Sequence, residues 1–272
     1  KIRGEGLRMA RWDWPIAFFD SGVGGLTVLR EMTRLMPNED MIYFGDEANA
    51  PYGAHTHSEV REIALGVARQ LTEMGVKAIT VACNTATAAA VDALRTAYPD
   101  IPVIGTEPAL KLAADAGYRR ILALATPVTV AEKRFSALVN TRCGGAEVIA
   151  VPCPGLATMI EENEPSSAVF DGFLDSLIAP YRGKFDAVVL GCTHYPLIKD
   201  TIAHAVGNDI PIFDGAAGTA RQVLRRLSEV GMCAPADKHG KVTLISSKDT
   251  ARLCGFWSRI VPDNKKRTDN GI

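Results

Sequence analysis

Two cysteines, Cys83 and Cys192, stand where an apolar run gives way to polar, helix-starting residues. The first run reads Ala78-Ile79-Thr80-Val81-Ala82-Cys83-Asn84-Thr85 and the second Ala187-Val188-Val189-Leu190-Gly191-Cys192-Thr193-His194. Such runs read as strands of a parallel sheet buried on both faces, and these sheets hold ligands at the carboxyl ends of their strands. Both thiols are therefore expected at the edge of a site. A thiol titrates near pH ~8.5 and shifts readily with its surroundings, so a placed cysteine can take or give a proton near neutrality. Two thiols facing each other, one ionised and one protonated, could remove a proton from one face of a carbon acid and return one to the other. That inverts a stereocentre and needs no cofactor.

Residues that could tune the thiols lie close by. Asp20 ends an earlier apolar run and opens Asp20-Ser21-Gly22-Val23-Gly24-Gly25, while His194 lies two residues after Cys192. A carboxylate in one half and an imidazole in the other would make the two thiols inequivalent. Asn84, Thr85 and Thr193 add side-chain donors beside helix-start amides, a combination that suits a carboxylate ligand. Pro51-Tyr52-Gly53 is a binding turn after the strand at 41–44. Each also has a plainer role: Asp20 could cap the following helix, and His194 could satisfy a local hydrogen bond. Cys143, Cys153, Cys233 and Cys254 are read as structural, since a lone cysteine in apolar surroundings is usually a small core residue.

The elements that must position these residues repeat. Pro102 follows Cys83 by 19 residues and Pro211 follows Cys192 by 19, each inside a short apolar run. Each half opens on a further apolar run, at 16–21 and at 121–126. Helical patterns alternate with the runs over 27–36, 58–74, 85–97, 108–116, 130–139 and 156–162. This alternation predicts α/β architecture: two similar doubly wound domains with parallel sheets and right-handed crossovers, related by a pseudo-two-fold, with the site in the cleft between them. The expected division places 1–106 and 215–272 in one domain and 107–214 in the other, with 1–14 an N-terminal extension and the chain after Pro262 a frayed tail.

Composition narrows the partners. A chain of 272 residues with 47% hydrophobic content can form two cores, and 30 Lys plus Arg against 31 Asp plus Glu gives no electrostatic pull toward nucleic acid or an anionic membrane. No stretch approaches the roughly 20 apolar residues of a membrane span, and no basic-then-apolar leader opens the chain, so a cytoplasmic protein with reduced thiols is expected. No Cys-x-x-Cys pair is present, His55, His57, His204 and His239 show no ligand spacing, and Thr27 replaces the last glycine of a dinucleotide fingerprint. Neither metal nor organic cofactor is expected.

Taken together, these motifs resemble the glutamate racemases of the aspartate/glutamate racemase superfamily. The likeness runs through residues 19–28, Tyr43-Phe44-Gly45-Asp46, Pro51-Tyr52-Gly53, Ala82-Cys83-Asn84-Thr85-Ala86 and Gly191-Cys192-Thr193-His194-Tyr195-Pro196, and covers about 15–260. It implies cofactor-independent interconversion of L- and D-glutamate, supplying D-glutamate for peptidoglycan, by a homodimer acting on a small molecule. It further implies that Cys83 and Cys192 are the acid/base pair, Cys83 serving the D- and Cys192 the L-enantiomer, assisted by Asp20 and His194. Asp20, Ser21, Tyr52, Gly53, Asn84, Thr85, Thr193 and His194 would bind the amino acid. Glu161 falls where the family carries an acidic residue after a Cys-Pro pair, here Cys153-Pro154, although on local sequence it reads as a solvated helix residue. A racemase for aspartate or another α-substituted acid, and a regulatory protein that binds without turnover, are the alternatives.

Overall fold

Alternate residues of the first strand, β1 (Ile16–Asp20), point into different cores: Ile16 and Phe18 into one, Ala17 and Phe19 into the other, all fully buried. A period of two with both faces apolar is the signature of a strand sandwiched between helices. The computed structural model describes residues 11–261 and 268–269. Its first part runs β1, α1 (Leu26–Leu35), β2 (Met41–Gly45), α2 (His57–Glu73), β3 (Ala78–Val81), α3 (Asn84–Ala97) and β4 (Val103–Gly105). The chain continues through α4 (Leu110–Asp115), β5 (Arg120–Ala125), α5 (Pro127–Ala131), α6 (Lys133–Arg142), β6 (Glu147–Pro152), α7 (Leu156–Glu162), α8 (Val169–Ile178), β7 (Ala187–Gly191), α9 (Lys199–Val206) and β8 (Ile212–Asp214). It then adds α10 (Ala216–Glu229), β9 (Val242–Ser246), α11 (Thr250–Ile260) and β10 (Thr268–Asp269).

The strands form two parallel sheets, ordered β10-β9-β2-β1-β3-β4 and β6-β5-β7-β8. Within each the order β2-β1-β3-β4 recurs as β6-β5-β7-β8, so the duplicated runs occupy equivalent places. In the second sheet Leu122 and Leu124 of β5 face one core while Ile121 and Ala123 face the other. Each fully buried Leu or Phe in these cores stabilises the fold by roughly 1.5–3 kcal/mol. After β8 the chain turns back: Ala216, Ala220, Val223 and Leu227 recur along one face of α10 and join the core of the first sheet with Leu26, Leu29 and Met32 of α1. The molecule therefore has two α/β lobes.

Some local expectations change. The helix expected at 130–139 begins at Pro127, because the Thr126 hydroxyl caps the Thr129 amide and proline suits the first helical position. It then breaks at Glu132, which adopts an extended backbone and starts α6. Of the extension assigned to 1–14, residues 1–10 lie outside the described residues, but the Trp12 carbonyl accepts a 2.6 Å hydrogen bond from Lys77 Nζ, itself ion-paired with Glu39. Of the tail expected to fray, Thr268 and Asp269 pair with Val242 and Thr243, and the rest lies outside the described residues. Cys143 is buried as expected, whereas Cys233 and Cys254 are half-buried at the margin of the first core.

Candidate active site

β3 and β7 deliver their cysteines to the same place. Cys83 and Cys192, 6% and 7% exposed, both line a cavity of about 640 Å³ between the lobes. Ser21, Tyr52, Gly53, Asn84, Thr85, Thr193, His194 and Glu161 share its wall. Of the expected site residues only Asp20 stands behind the lining.

Cys83 is the N-cap of α3, its Sγ accepting from the Ala86 amide at 3.5 Å. Burial, then the negative charge of Asp20, pushes this thiol well above its ordinary range, partly opposed by the Ala86 and Thr85 amides. Behind it, Asp20 does not cap α1, whose N-cap is Gly25 and which has no side-chain cap. Its carboxylate accepts from the Ser21 hydroxyl at 3.2 Å, the Gly22 amide at 3.1 Å and, from the other lobe, the Thr193 hydroxyl at 2.8 Å. Asp20 thus ties the two cysteine loops together. Tyr52 lines the wall with its hydroxyl tied down, donating to Asp46 at 2.8 Å. Asn84 Oδ1 is a buried acceptor without a protein partner at the cavity wall.

Cys192 Sγ lies 3.7 Å from His194 Nδ1, and His194 Nε2 lies 2.7 Å from Glu161 Oε1. Glu161 is therefore no solvated helix residue: its side chain is 14% exposed, and Oε1 also accepts from the Val23 amide at 3.4 Å. Burial would raise the Glu161 carboxyl, but the hydrogen bond and charge of His194, with Arg252 beyond, hold it down at about 2. Burial would lower His194, but Cys192 and Glu161 outweigh it and raise the imidazole well above its usual range. The ring's two nitrogens thus face a thiol on one side and a carboxylate on the other. Cys83 and Cys192 have different neighbours, the Asp20 carboxylate behind one and the His194 imidazole beside the other.

The glycine loop explains how these groups fit. A Cβ at Gly22 would lie 2.2 Å from Glu161 Oε1, and one at Gly24 would lie 2.4 Å from His194 Nδ1. Glycines that suggest a phosphate loop in sequence instead let two side chains of the second lobe settle on backbone of the first. Sequence reasoning did not find Thr126, which lines the cavity with its hydroxyl 3.2 Å from that of Thr85. The internal repeat could have found it, because Thr126 follows β5 as Ser21 follows β1. Arg252 and Glu47 also line the cavity and carry no motif that marks them. Cys153 lines it too, 2% exposed, donating to the Val151 carbonyl at 3.4 Å and pushed up to about 12 by burial. Among the described residues no cluster of three or more His, Cys, Asp or Glu is arranged to hold a metal ion.

Two parallel-sheet lobes that offer one thiol each to a shared cavity, with carboxylate and imidazole groups behind them, belong to the racemase class of α/β proteins. The chain belongs to the Asp/Glu/Hydantoin racemase family, whose model matches residues 23–223. Over 91% of its length it is 44% identical to the glutamate racemase of Clostridium botulinum (strain Alaska E43 / Type E3), covering 96% of that protein. Among solved structures it is similar to glutamate racemase isoform RacE1 from Bacillus anthracis, with 30% identity, a TM-score of 0.84, and coverage of 95% of this chain and 97% of that one. It is also similar to the Francisella tularensis glutamate racemase in complex with D-glutamate, with 27% identity, a TM-score of 0.82, and coverage of 96% and 98%.

Proposed function

We propose that this protein interconverts L- and D-glutamate by transferring the α-proton between two thiols. The observation that carries the reading is the placement of Cys83 and Cys192, from equivalent strands of the two sheets, in one interlobe cavity. A Cys192 thiolate removes the α-proton of L-glutamate on one face, and the Cys83 thiol protonates the planar carbanion on the other. The reverse reaction uses the same thiols in exchanged states. Amides at the start of α3 and at Thr193 bind the α-carboxylate, where the negative charge of the carbanion develops. Asn84 lines the wall beside those amides and helps to hold the bound amino acid. His194 manages the Cys192 proton, with Glu161 setting its charge and orientation, while Asp20 biases Cys83 and holds Thr193 in place. Ser21, Tyr52, Gly53 and Thr85 shape the remaining wall.

The D-glutamate complex of the Francisella tularensis relative and the names of the curated relatives favour glutamate over aspartate as substrate. On this reading the enzyme works in the cytoplasm, supplies D-glutamate to peptidoglycan and acts as a homodimer. Sheet membership supports a division into 1–106 with 215–272 and 107–214. The decisive experiment follows optical rotation or circular dichroism of L- and D-glutamate, and separately of the aspartate enantiomers, with purified protein. Decay of both glutamate signals to zero is the expected result. Turnover of aspartate alone would replace the substrate, and binding without turnover would leave a regulatory protein.

A further inference from the structure

Helix α11 presents Arg252, Phe256 and Arg259 along one face, at steps of four and three residues, and both guanidinium groups lie over the Phe256 ring, 5.4 and 4.2 Å from its centroid. That face meets the other lobe. Arg259 Nη1 lies 3.0 and 3.1 Å from the two carboxylate oxygens of Glu164. Arg252 Nη2 lies 3.2 Å from Glu161 Oε2 and 3.0 Å from the Glu161 carbonyl, while Nη1 pairs with Glu47, which follows β2. One guanidinium of the first lobe therefore holds two carboxylates, one from each lobe.

The consequence lies at Glu161. One of its oxygens serves His194 and the Val23 amide, so the other is available to fix the rotation of the carboxylate, and Arg252 occupies it. We propose that Arg252 is a positioning residue for the Cys192 acid/base. From the first lobe it clamps Glu161 under His194, so that this half of the proton-transfer machinery is complete only with the lobes closed on the cavity. The inference rests on the racemase reading above. Cys83 is supported instead by Asp20 and the α3 amides, to which Arg252 makes no bond among those described, so the effect is one-sided.

The titratable groups that bear on His194 and Glu161 come from several elements: Cys192 beside the ring, Arg252 on α11 and Tyr43 on β2, with Glu47 after β2 acting on Arg252 in turn. Lys248 and Asp249 stand on the same cavity wall. Removing Arg252 frees the Glu161 carboxylate to rotate away from His194, whereas loss of its positive charge alone would favour the protonated ring, so a fall in the His194 titration reports lost positioning rather than lost charge. The Arg259–Glu164 pair provides a control on the same helix face, since it joins the lobes without touching Glu161.

The test uses Arg252→Gln, Arg252→Lys and Arg259→Gln in the full chain. The first readout needs no turnover: the titration of the His194 ring, followed by NMR of histidine labelled in the ring nitrogens and assigned with His194→Asn. Arg252→Gln should move that titration to lower pH, Arg252→Lys should restore most of it, and Arg259→Gln should leave it in place. The second readout is elimination of chloride from each enantiomer of a β-chloro substrate analogue, which needs only the base on one face: that thiolate takes the α-proton as chloride leaves the β-carbon. Arg252→Gln should slow elimination from the enantiomer that Cys192→Ala abolishes by about tenfold, the loss of one charged hydrogen bond. Elimination from the other enantiomer should stay near the parent rate. A His194 titration that stays in place or rises in Arg252→Gln, or equal slowing of both enantiomers, overturns the proposal. A parent protein that does not racemise glutamate sinks the functional reading, while the His194 titration still decides whether Arg252 sets the state of the ring.

Discussion

Replacing Gly24 by alanine adds one carbon where the structure leaves no room for it. The new Cβ would lie 2.4 Å from His194 Nδ1, 2.7 Å from Cε1 and 2.8 Å from Cγ. Ordinary contact begins at 3.4 Å, so the ring must withdraw by about 1 Å, the difference between 3.4 and 2.4 Å. The backbone does not object, because Gly24 is not among the glycines with positive φ, and alanine there gains about 0.4–1 kcal/mol from a less flexible unfolded chain. Forcing a group into a packed site costs about 1–3 kcal/mol, so the protein should stay folded with a small net loss of stability. Catalysis should suffer more. A 1 Å misplacement of a positioned group costs about a hundredfold in rate, and His194 is held at both ends, by Glu161 at 2.7 Å and beside Cys192 at 3.7 Å. Racemisation has an equilibrium constant of one, so kcat/KM must fall equally in both directions. The site-specific loss therefore appears in one-sided elimination from β-chloro enantiomers, while circular dichroism follows overall racemisation. A Gly24→Ala variant with parental kcat/KM, or one that loses elimination from both enantiomers alike, would refute the role given to the glycine loop in seating His194.

Cys83→Ala and Cys192→Ala should each abolish racemisation while leaving the circular-dichroism spectrum and unfolding midpoint near the parent's; parental turnover in either would end the two-thiol mechanism. The Glu161 carboxyl lies at about 2 in the fold against 4.5 in the free chain, so its stabilisation is present above pH 4.5 and lost as pH falls toward 2. That contribution is on the order of 3 kcal/mol, and the destabilisation of Glu161→Gln in urea should shrink over that window; a constant difference would remove the pairing. The raised His194 imidazole acts in the opposite sense, stabilising below its ordinary 6.5 and losing that contribution as pH rises through its folded value. Dialysis against a chelator should leave turnover intact, and activity restored only by added metal or organic cofactor would contradict direct thiol-to-carbon proton transfer.

The sequence by itself determined the two similar halves and the two thiols. Both are local in origin: an apolar run of strand length, a cysteine at its end, and a proline 19 residues later each involve only neighbours along the chain. It also marked Asn84, Thr85, Thr193 and His194, because they follow those cysteines directly and share their strand ends. Glu161 was different. Beside Glu162 at the end of α7 it has the pattern of a solvated residue, and only the fold brings it to His194, 33 positions away, and to the Val23 amide, 138 positions away. Arg252 reaches it across 91 positions and Thr193 reaches Asp20 across 173, each pairing a residue of one lobe with a residue of the other. Such contacts depend on how two independently formed sheets dock, a choice made by packing and buried charge rather than by periodicity. The glycines of residues 22–25 carry the same lesson, since whether they cradle a phosphate or admit a histidine and a carboxylate is decided by what the opposite lobe presents to them.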